Sequence, residues 1–184
     1  MPLTSHALIY LCRKEVMILI RKMPYGIQDN YFKVCNRDLL PLEKLNTYDY
    51  ICGKIPFYED FFDFPKGRGR SVDDAMREFM EETGLDALAV NADELCTNIA
   101  CVDYIGLDLR RYRIIFHLLI SQHRPKKVHE GECQTFLPKW MPLAELVGFL
   151  QDVSQLDERG KYEKYITILK KILTNNEYKS LMGS

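Results

Sequence analysis

The chain has 184 residues, of which 47% are hydrophobic and 28% charged, with a formal net charge of -1 and a pI near 6.4. This length and apolar content suit one globular domain with a sizeable core. The near-neutral charge excludes a uniformly basic nucleic-acid coat protein, although it allows local basic patches.

The six cysteines, at positions 12, 35, 52, 96, 101 and 133, are far apart and form no C-x-x-C pair. Several lie in apolar runs, so we expect buried free thiols in a reducing compartment and neither disulfides nor a zinc site. The apolar run at the N-terminus is interrupted at residues 13–15 before it reaches the length of a signal peptide or a membrane span. These features favour a soluble, cytoplasmic protein with no membrane partner.

Two β-prone runs, residues 6–12 and 15–20, predict a hairpin in a mostly buried sheet. Regular periodicity is then lost over residues 24–62, which we interpret as an insert. Ten of the twenty Tyr and Phe residues lie between positions 25 and 64. Because a connection this long inside a compact domain is commonly a lid or a binding loop, we predict that its aromatic side chains, Phe57 and Tyr58 among them, contact a substrate.

An amphipathic helix is predicted over residues 71–83. Ser71 and Asp74 give a start resembling a capping box, and Gly84 suits the left-handed residue that ends a helix. At about 100° per residue, the helix has an apolar face that packs and an acidic face that looks outward. The apolar positions are Val72, Ala75, Met76, Phe79, Met80 and Thr83, and the acidic ones are Asp74, Glu78, Glu81 and Glu82.

The acidic face invites two interpretations. Like charges three or four residues apart on a helix repel by roughly 0.2–0.5 kcal/mol per pair, which an ordinary solvated face tolerates. Alternatively, carboxylates at i, i+3 and i+4 present converging oxygens to Mg²⁺ or Mn²⁺. Arg77, beside Glu78 and four residues before Glu81, can pair with one of these carboxylates and hold its orientation.

The segment just before this helix is basic and rich in glycine. It places Gly67 and Gly69 among Lys66, Arg68 and Arg70. Glycine lets the backbone approach a phosphate closely, and the cations attract it. A loop that attracts anions, followed by a helix that binds a metal, is the arrangement that hydrolysis of a diphosphate requires.

The remaining elements alternate strand and helix. Residues 95–104 and 111–120 predict two strands, and the second is nearly all apolar, as expected of a central strand. A strand-to-helix transition follows, in which Pro142 is placed to start the helix. A last helix over about residues 161–173 keeps an apolar period and is predicted to pack on the domain. We place Trp140 in the core.

Together these segments resemble the Nudix hydrolase family. FPKG at 64–67 followed by REFMEETGL at 77–85 is similar to the Nudix box, G-x5-E-x7-R-E-U-x-E-E-x-G-U, where U is a bulky aliphatic residue. The second half is nearly complete, with Phe79 at the first U. In the first half, Gly67 lies ten positions before Arg77 instead of fourteen, and the first glutamate of the pattern has no direct counterpart. Asp73 or Asp74 could replace its interaction with Arg77.

The resemblance implies an α/β fold, the Nudix α/β/α sandwich with a mixed central sheet. It implies a single domain over residues 1–184, with the aromatic-rich insert (24–62) before the Nudix box (67–85) and a C-terminal helical extension (142–182).

The same resemblance implies a site. Glu78, Glu81 and Glu82, with the backbone carbonyl of Lys66, correspond to the family's ligands for Mg²⁺ or Mn²⁺. A metal-activated water would attack a phosphorus atom of a nucleoside diphosphate linked to another group. The general base is either a box glutamate, Glu81 or Glu82, or a loop residue, with Glu132 preferred to Glu130. Ordinary loop solvation is the alternative role of the last two.

For the substrate, P-K-G followed by a basic residue, with R-E-F-x-E-E-T-G, most resembles mRNA-decapping Nudix enzymes and their counterparts in large DNA viruses. The aromatic insert and the segment YIGLDLRRYRIIFHLLIS also resemble viral members, including baculovirus proteins labelled ADP-ribose pyrophosphatases. Aromatic side chains stack on bases, and more strongly on a cationic methylated guanine. Basic clusters at residues 110–113 and 124–127 could follow an RNA backbone. Two alternatives stay open. One is an enzyme for ADP-ribose, dinucleoside polyphosphates or an inositol pyrophosphate, and the other is an inactive module that binds nucleotide or RNA.

Overall fold

The computed structural model describes residues 1–21, 62–89, 92–106, 108–133, 136–155, 157 and 159–182. Almost all of the predicted insert lies outside these residues, and so do Phe57 and Tyr58, whose predicted contacts with a substrate concern a part of the chain that the structure does not describe.

The described strands are β1 (Leu3–Cys12), β2 (Glu15–Arg21), β3 (Phe62–Asp63), β4 (Lys66–Arg68), β5 (Leu85–Asp86), β6 (Glu94–Ile105), β7 (Arg111–Ser121), β8 (Lys126–Lys127) and β9 (Phe136–Pro142). The described α-helices are α1 (Val72–Thr83), α2 (Leu143–Ser154), α3 (Lys161–Thr174) and α4 (Asn176–Met182), and a 3₁₀ turn covers Ala87–Ala89. All five predicted strands and all three predicted helices are confirmed, including the start of α2 directly after Pro142.

Seven of these strands form one mixed sheet, in the order β3-β2-β1-β7-β6, with β4 paired to β1 and β9 paired to β2. The β1–β7 pair is parallel and the other pairs are antiparallel. The predicted hairpin is present, but β1 and β2 pair only beside their turn, at Leu11↔Val16 and Cys12↔Glu15. The first half of β1 is therefore available to β4, the strand that leads into α1.

Helices cover both faces of the sheet. Along β1 successive side chains point to opposite faces, so that Leu8 and Tyr10 pack against α1, whereas Ile9 and Leu11 pack in the larger core with α2, α3 and α4. The central strand β7, internal to the sheet, contributes to both cores. The predicted three-layer α/β/α architecture is confirmed.

Helix α3 is fastened to β3 by buried polar contacts. Lys161 Nζ donates to Asp63 Oδ2 at 2.6 Å and Tyr165 Oη donates to Asp63 Oδ1 at 2.8 Å. Tyr162 Oη donates to the carbonyl oxygen of Phe62 at 2.6 Å. Burial alone would raise the pKa of Asp63, but the cations and hydroxyl around it hold that pKa below its usual value. These contacts, the α3 clamp, confirm that the last predicted helix packs on the domain.

Two predictions about the core need correction. Among the described cysteines, which are all free thiols, Cys12 is buried, but Cys96 is half-buried and Cys101 and Cys133 are exposed. Apolar neighbours in sequence were a poor guide because alternate positions of β6 face solvent. Trp140 is only half-buried. Its ring makes an edge-to-face contact with Tyr10, and the guanidinium carbon of Arg124 lies 4.8 Å from the ring centre.

No helix in the described ranges is both long and apolar enough to cross a membrane.

Candidate active site

The acidic helix α1 lies unusually close to strand β4, and two glycines make this possible. A Cβ atom at Gly67 would lie 2.1 Å from Cδ of Glu78, and one at Gly69 would lie 2.3 Å from Cγ of Asp74. Gly67 in β4 and Gly69 directly after it therefore both leave room for a carboxylate of α1. The sequence suggested that they let a phosphate approach; the structure shows that they admit the helix.

Glu82 is buried, with 8% of its surface exposed, which corrects the prediction that it faces outward. Its Oε1 accepts a hydrogen bond from the backbone N–H of Lys66 at 2.9 Å. Burial raises the pKa of Glu82 to about 8, Lys66 opposes this shift, and the charges of Glu78 and Glu132 add to it. Glu82 follows the buried Ala75 by seven residues, about two turns, and this spacing could have predicted its burial.

Arg77 contacts three carboxylates of α1. Its Nη1 donates to Glu78 Oε1 at 3.2 Å and to Glu81 Oε1 at 3.1 Å, and its Nη2 donates to Asp74 Oδ1 at 3.5 Å. Despite this cation, burial, followed by repulsion from Glu81, raises the pKa of Glu78. Arg77 is therefore placed to orient the carboxylates, as the sequence suggested.

Asp74, one of two candidates for the missing box glutamate, is the one that contacts Arg77. Its Oδ2 also accepts hydrogen bonds from the backbone N–H groups of Arg70 at 2.6 Å and Ser71 at 3.2 Å. Together with Ser71 it completes the predicted capping box, and Gly84 ends the helix in the left-handed conformation at φ 77°. A single aspartate thus closes the short connection from β4 and also holds Arg77.

The loop of residues 128–132 is held against the C-terminal end of α1. The N–H of Val128 donates to the carbonyl oxygen of Gly84 at 2.8 Å, and the N–H of Glu132 donates to that of Glu82 at 3.2 Å. A Cβ atom at Gly84 would lie 2.0 Å from the carbonyl oxygen of His129, so only glycine permits this approach.

The loop brings Glu132 close to the acidic helix. The charge of Glu132 raises the pKa of both Glu78 and Glu82. Glu130 instead pairs with Lys127, at 3.0 Å from Oε2 to Nζ. Of the two loop glutamates named from the sequence, Glu132 is therefore the one that the structure adds to the acidic cluster, which we define as Glu78, Glu81, Glu82 and Glu132.

The acidic cluster has the chemistry of a site for a hard divalent cation, because carboxylate oxygens and a backbone carbonyl are the donors that Mg²⁺ and Mn²⁺ prefer. Burial is the main cause of the raised pKa values of Glu78 and Glu82, and a cation bound beside them would favour their ionised forms. Within the described ranges, no three acidic, histidine or cysteine side chains surround a common point, and the carboxylates of Glu78 and Glu81 are hydrogen-bonded to Arg77. Rotation of these two side chains away from Arg77 would be needed for the donors to converge.

Several predicted cationic contacts for RNA are engaged elsewhere. Arg113 pairs with Asp103 at 2.8 Å, and Arg124 pairs with Glu15 at 2.9 Å. Arg68, at the end of β4, and Arg70, just before α1, are exposed and closer to the acidic helix in the chain. The Lys66 ammonium lies 3.8 Å from Asp63 of the α3 clamp.

No family model matches the chain, and no curated protein does. The structure is similar to that of a Nudix hydrolase from Alicyclobacillus acidocaldarius, with a TM-score of 0.55 and 13% identity over 100% of this chain and 96% of that one. It is also similar to the Nudix domain of Shewanella oneidensis NrtR complexed with ADP-ribose, with a TM-score of 0.50 and 12% identity over 95% of this chain and 90% of that one. The chain has the Nudix fold, as the sequence predicted.

Proposed function

We propose that the protein is a metal-dependent hydrolase that cleaves a pyrophosphate bond in a substrate containing a nucleoside diphosphate. The observation that carries this proposal is the acidic cluster, in which Glu82 is buried with a pKa of about 8. A domain that only needed to fold would gain stability from a neutral side chain there. The cluster is costly without a cation and favourable with one, as expected of a catalytic metal site.

In this proposal Glu78, Glu81, Glu82 and the backbone carbonyl of Lys66 hold Mg²⁺ or Mn²⁺. The bound cation would neutralise phosphate charge and lower the pKa of a coordinated water. Arg77 keeps the carboxylates of α1 in place when they are not bound to metal, because it contacts Glu78 and Glu81. Gly67 lies against Glu78 and the Lys66 N–H against Glu82, and in this proposal Gly67 and the side chains of Lys66, Arg68 and Arg70 face the substrate's phosphates.

Glu132 is the general base in this proposal. Its backbone is fixed to the end of α1, and its carboxylate acts electrostatically on Glu78 and Glu82. A general base must be ionised at the working pH. Glu82 with a pKa of about 8 is largely protonated near neutral pH when no cation is present, so it suits the role of metal ligand better than that of base.

We further propose capped RNA as the substrate, with release of 7-methylguanosine diphosphate. This rests on the resemblance of the box to decapping enzymes and on the aromatic-rich segment before it. ADP-ribose is the principal competitor, since a domain of the same fold is known in complex with it. An inactive binding module is disfavoured because it would have no use for the acidic cluster.

The test is incubation of the purified protein with Mn²⁺ or Mg²⁺ and either cap-labelled RNA or ADP-ribose. We expect 7-methylguanosine diphosphate from the RNA, and we expect Glu81→Gln and Glu82→Gln to lose most turnover. Glu130→Gln is the matched control, since Glu130 pairs with Lys127, and it should retain activity. Cleavage of ADP-ribose alone would show that the substrate is a small nucleotide and not the mRNA cap. Near-normal rates in both α1 variants, with unchanged Mn²⁺ dependence, would refute the metal assignment.

A further inference from the structure

Two buried histidines, outside the acidic cluster, form a hydrogen-bonded pair on the side of the sheet that carries α1. His6 of β1 precedes Leu8 by two residues and His117 of β7 precedes Leu119 by two, and both leucines pack in the core beneath α1. His6 Nδ1 lies 2.9 Å from His117 Nε2. Both imidazoles are almost fully buried.

A bulge in β6 supplies a further hydrogen bond to this pair of histidines. The register of β6 against β7 shifts between Cys96 and Ala100, and Asn98 has a positive φ of 52°. The N–H of Asn98 consequently donates to His117 Nδ1, at 3.0 Å, and not to the strand ladder. Bulges re-aim groups at particular sites, and this one supplies the backbone donor that faces His117.

These contacts fix the protons of both rings. Because His117 Nδ1 accepts from Asn98, the neutral imidazole of His117 carries its proton on Nε2. That proton is donated to His6 Nδ1, so His6 carries its own proton on Nε2. Burial lowers the pKa of both histidines; the charge of Asp74 opposes this for His6, and His6 adds to it for His117. The pair is therefore neutral, with one tautomer of each ring.

The outer nitrogen of His6 is directed towards the candidate site. His6 pairs across β1 and β4 with Gly67, the residue over which the Glu78 carboxylate lies. The two nitrogens of an imidazole point to different sides of the ring, and Nδ1 faces β7. The Nε2–H group accordingly points away from β7, towards β4 and α1. Among the described residues, this nitrogen has no hydrogen-bond partner and retains access to solvent.

We propose that His6 Nε2–H donates a hydrogen bond to a phosphate oxygen of the substrate beside Glu78, and that His117 and the Asn98 backbone are positioning groups that keep this donor uncharged and in one orientation. The inference rests on the proposed function. An uncharged donor is suited to this position, because a histidine cation would pair with Glu78 or Asp74 and compete with the metal for carboxylate oxygens. Donors that are oriented before the substrate arrives need no reorganisation when it binds.

The tautomers can be measured without turnover. In ¹⁵N-labelled wild-type protein, two-bond ¹H–¹⁵N correlation spectra should show both histidines as neutral Nε2–H forms near neutral pH. Titration with inorganic diphosphate in the presence of Mg²⁺ should then shift the Nε2 signal of His6. A charged His6, an Nδ1–H tautomer of either ring, or a His6 signal unmoved by saturating diphosphate would overturn the proposal.

Kinetic measurements distinguish a role of His6 in substrate binding from a purely structural role. His6→Phe keeps the ring and removes the donor, so KM should rise roughly threefold to tenfold, the range expected for one neutral hydrogen bond, with little change in Mn²⁺ affinity. His6→Gln, which restores an N–H at similar reach, should recover most of the loss. His123→Phe, at an exposed histidine, is the matched control and should behave as wild type. An unchanged KM in His6→Phe would refute the donor role. If neither nucleotide substrate is cleaved by wild type, the proposed function fails, whereas the diphosphate titration still decides the role of His6.

Discussion

Replacing Glu82 with glutamine is expected to make the metal-free protein more stable while removing its activity. Glutamine keeps the oxygen that accepts from Lys66 N–H but cannot ionise. The pKa of Glu82 is about 8 in the folded protein against a usual value of 4.5. The folded state therefore holds a proton more tightly than the unfolded state, and stability is highest below pH 4.5 and falls as pH rises towards 8.

The size of the effect follows from this shift. The unfolded chain releases the proton above its usual pKa of 4.5, whereas the folded protein still holds it at pH 7. Integrated over these roughly 2.5 pH units, the difference in bound protons destabilises the folded state by roughly 3 kcal/mol at pH 7. The advantage of Glu82→Gln should therefore grow from under about 1 kcal/mol near pH 5 to roughly 3 kcal/mol at pH 7. Because Glu82 is 8% exposed, solvent screening reduces this value little.

The assay is urea unfolding of wild type and Glu82→Gln in the presence of a chelator, at three pH values between 5 and 7. Glu81→Gln, one residue earlier and with its side chain 47% exposed, is the matched control and should show little pH-dependent gain. Added Mn²⁺ should then stabilise the wild type more than Glu82→Gln. A stability difference that stays constant with pH would show that Glu82 ionises normally and would refute the argument from burial.

Three other changes have definite expected outcomes. Glu132→Gln should slow turnover by about 10²-fold or more, the range for a lost general base, with unaltered Mn²⁺ affinity; an unchanged rate in steady-state assays would assign the base to another residue. Gly67→Ala should weaken Mn²⁺ binding about tenfold or more in calorimetric titration, because its Cβ would displace the Glu78 carboxylate; wild-type affinity would contradict the close contact. Lys161→Met should lower the free energy of unfolding by roughly 3 kcal/mol, because Asp63 would lose its nearer cation and keep only Lys66 at 3.8 Å, and adding Asp63→Asn should recover much of the loss; equal losses in the single and double variants in urea melts would show that the charge pair is not responsible.

The sequence predicted well those features that depend on neighbours along the chain. The boundaries of α1 follow from the capping box at Ser71 and from Gly84, both local signals. The strands follow from short apolar runs, and the box pattern carries the acidic residues with it. The resemblance also named Glu132 as a candidate base, and the structure holds its loop against the end of α1.

Features that depend on packing between distant segments were missed or misplaced. Glu82 lies buried where β4 presents the N–H of Lys66 to it; the helical period places it near Ala75 at the edge of the apolar face, but its charge led us to assign it to the solvated face. His6 and His117 are 111 positions apart, and each reads as an isolated polar residue in an apolar strand. The partners of Arg113 and Arg124 likewise come from other strands, so sequence clusters of positive charge overestimated the cations available to a ligand.

The α3 clamp has a consequence for how the protein is made. Asp63, three residues before Lys66, obtains its buried cation from Lys161, which lies 98 positions later in the chain. During synthesis the sheet and α1 can emerge and pair while Asp63 still lacks that cation. A buried carboxylate without its partner is costly, so the segment that leads into the acidic helix is expected to settle only after α3 has left the ribosome. Ribosomes stalled before residue 161 should therefore carry a nascent chain whose β3–β4 segment remains open to proteolysis, and the site would become competent only in the last steps of assembly.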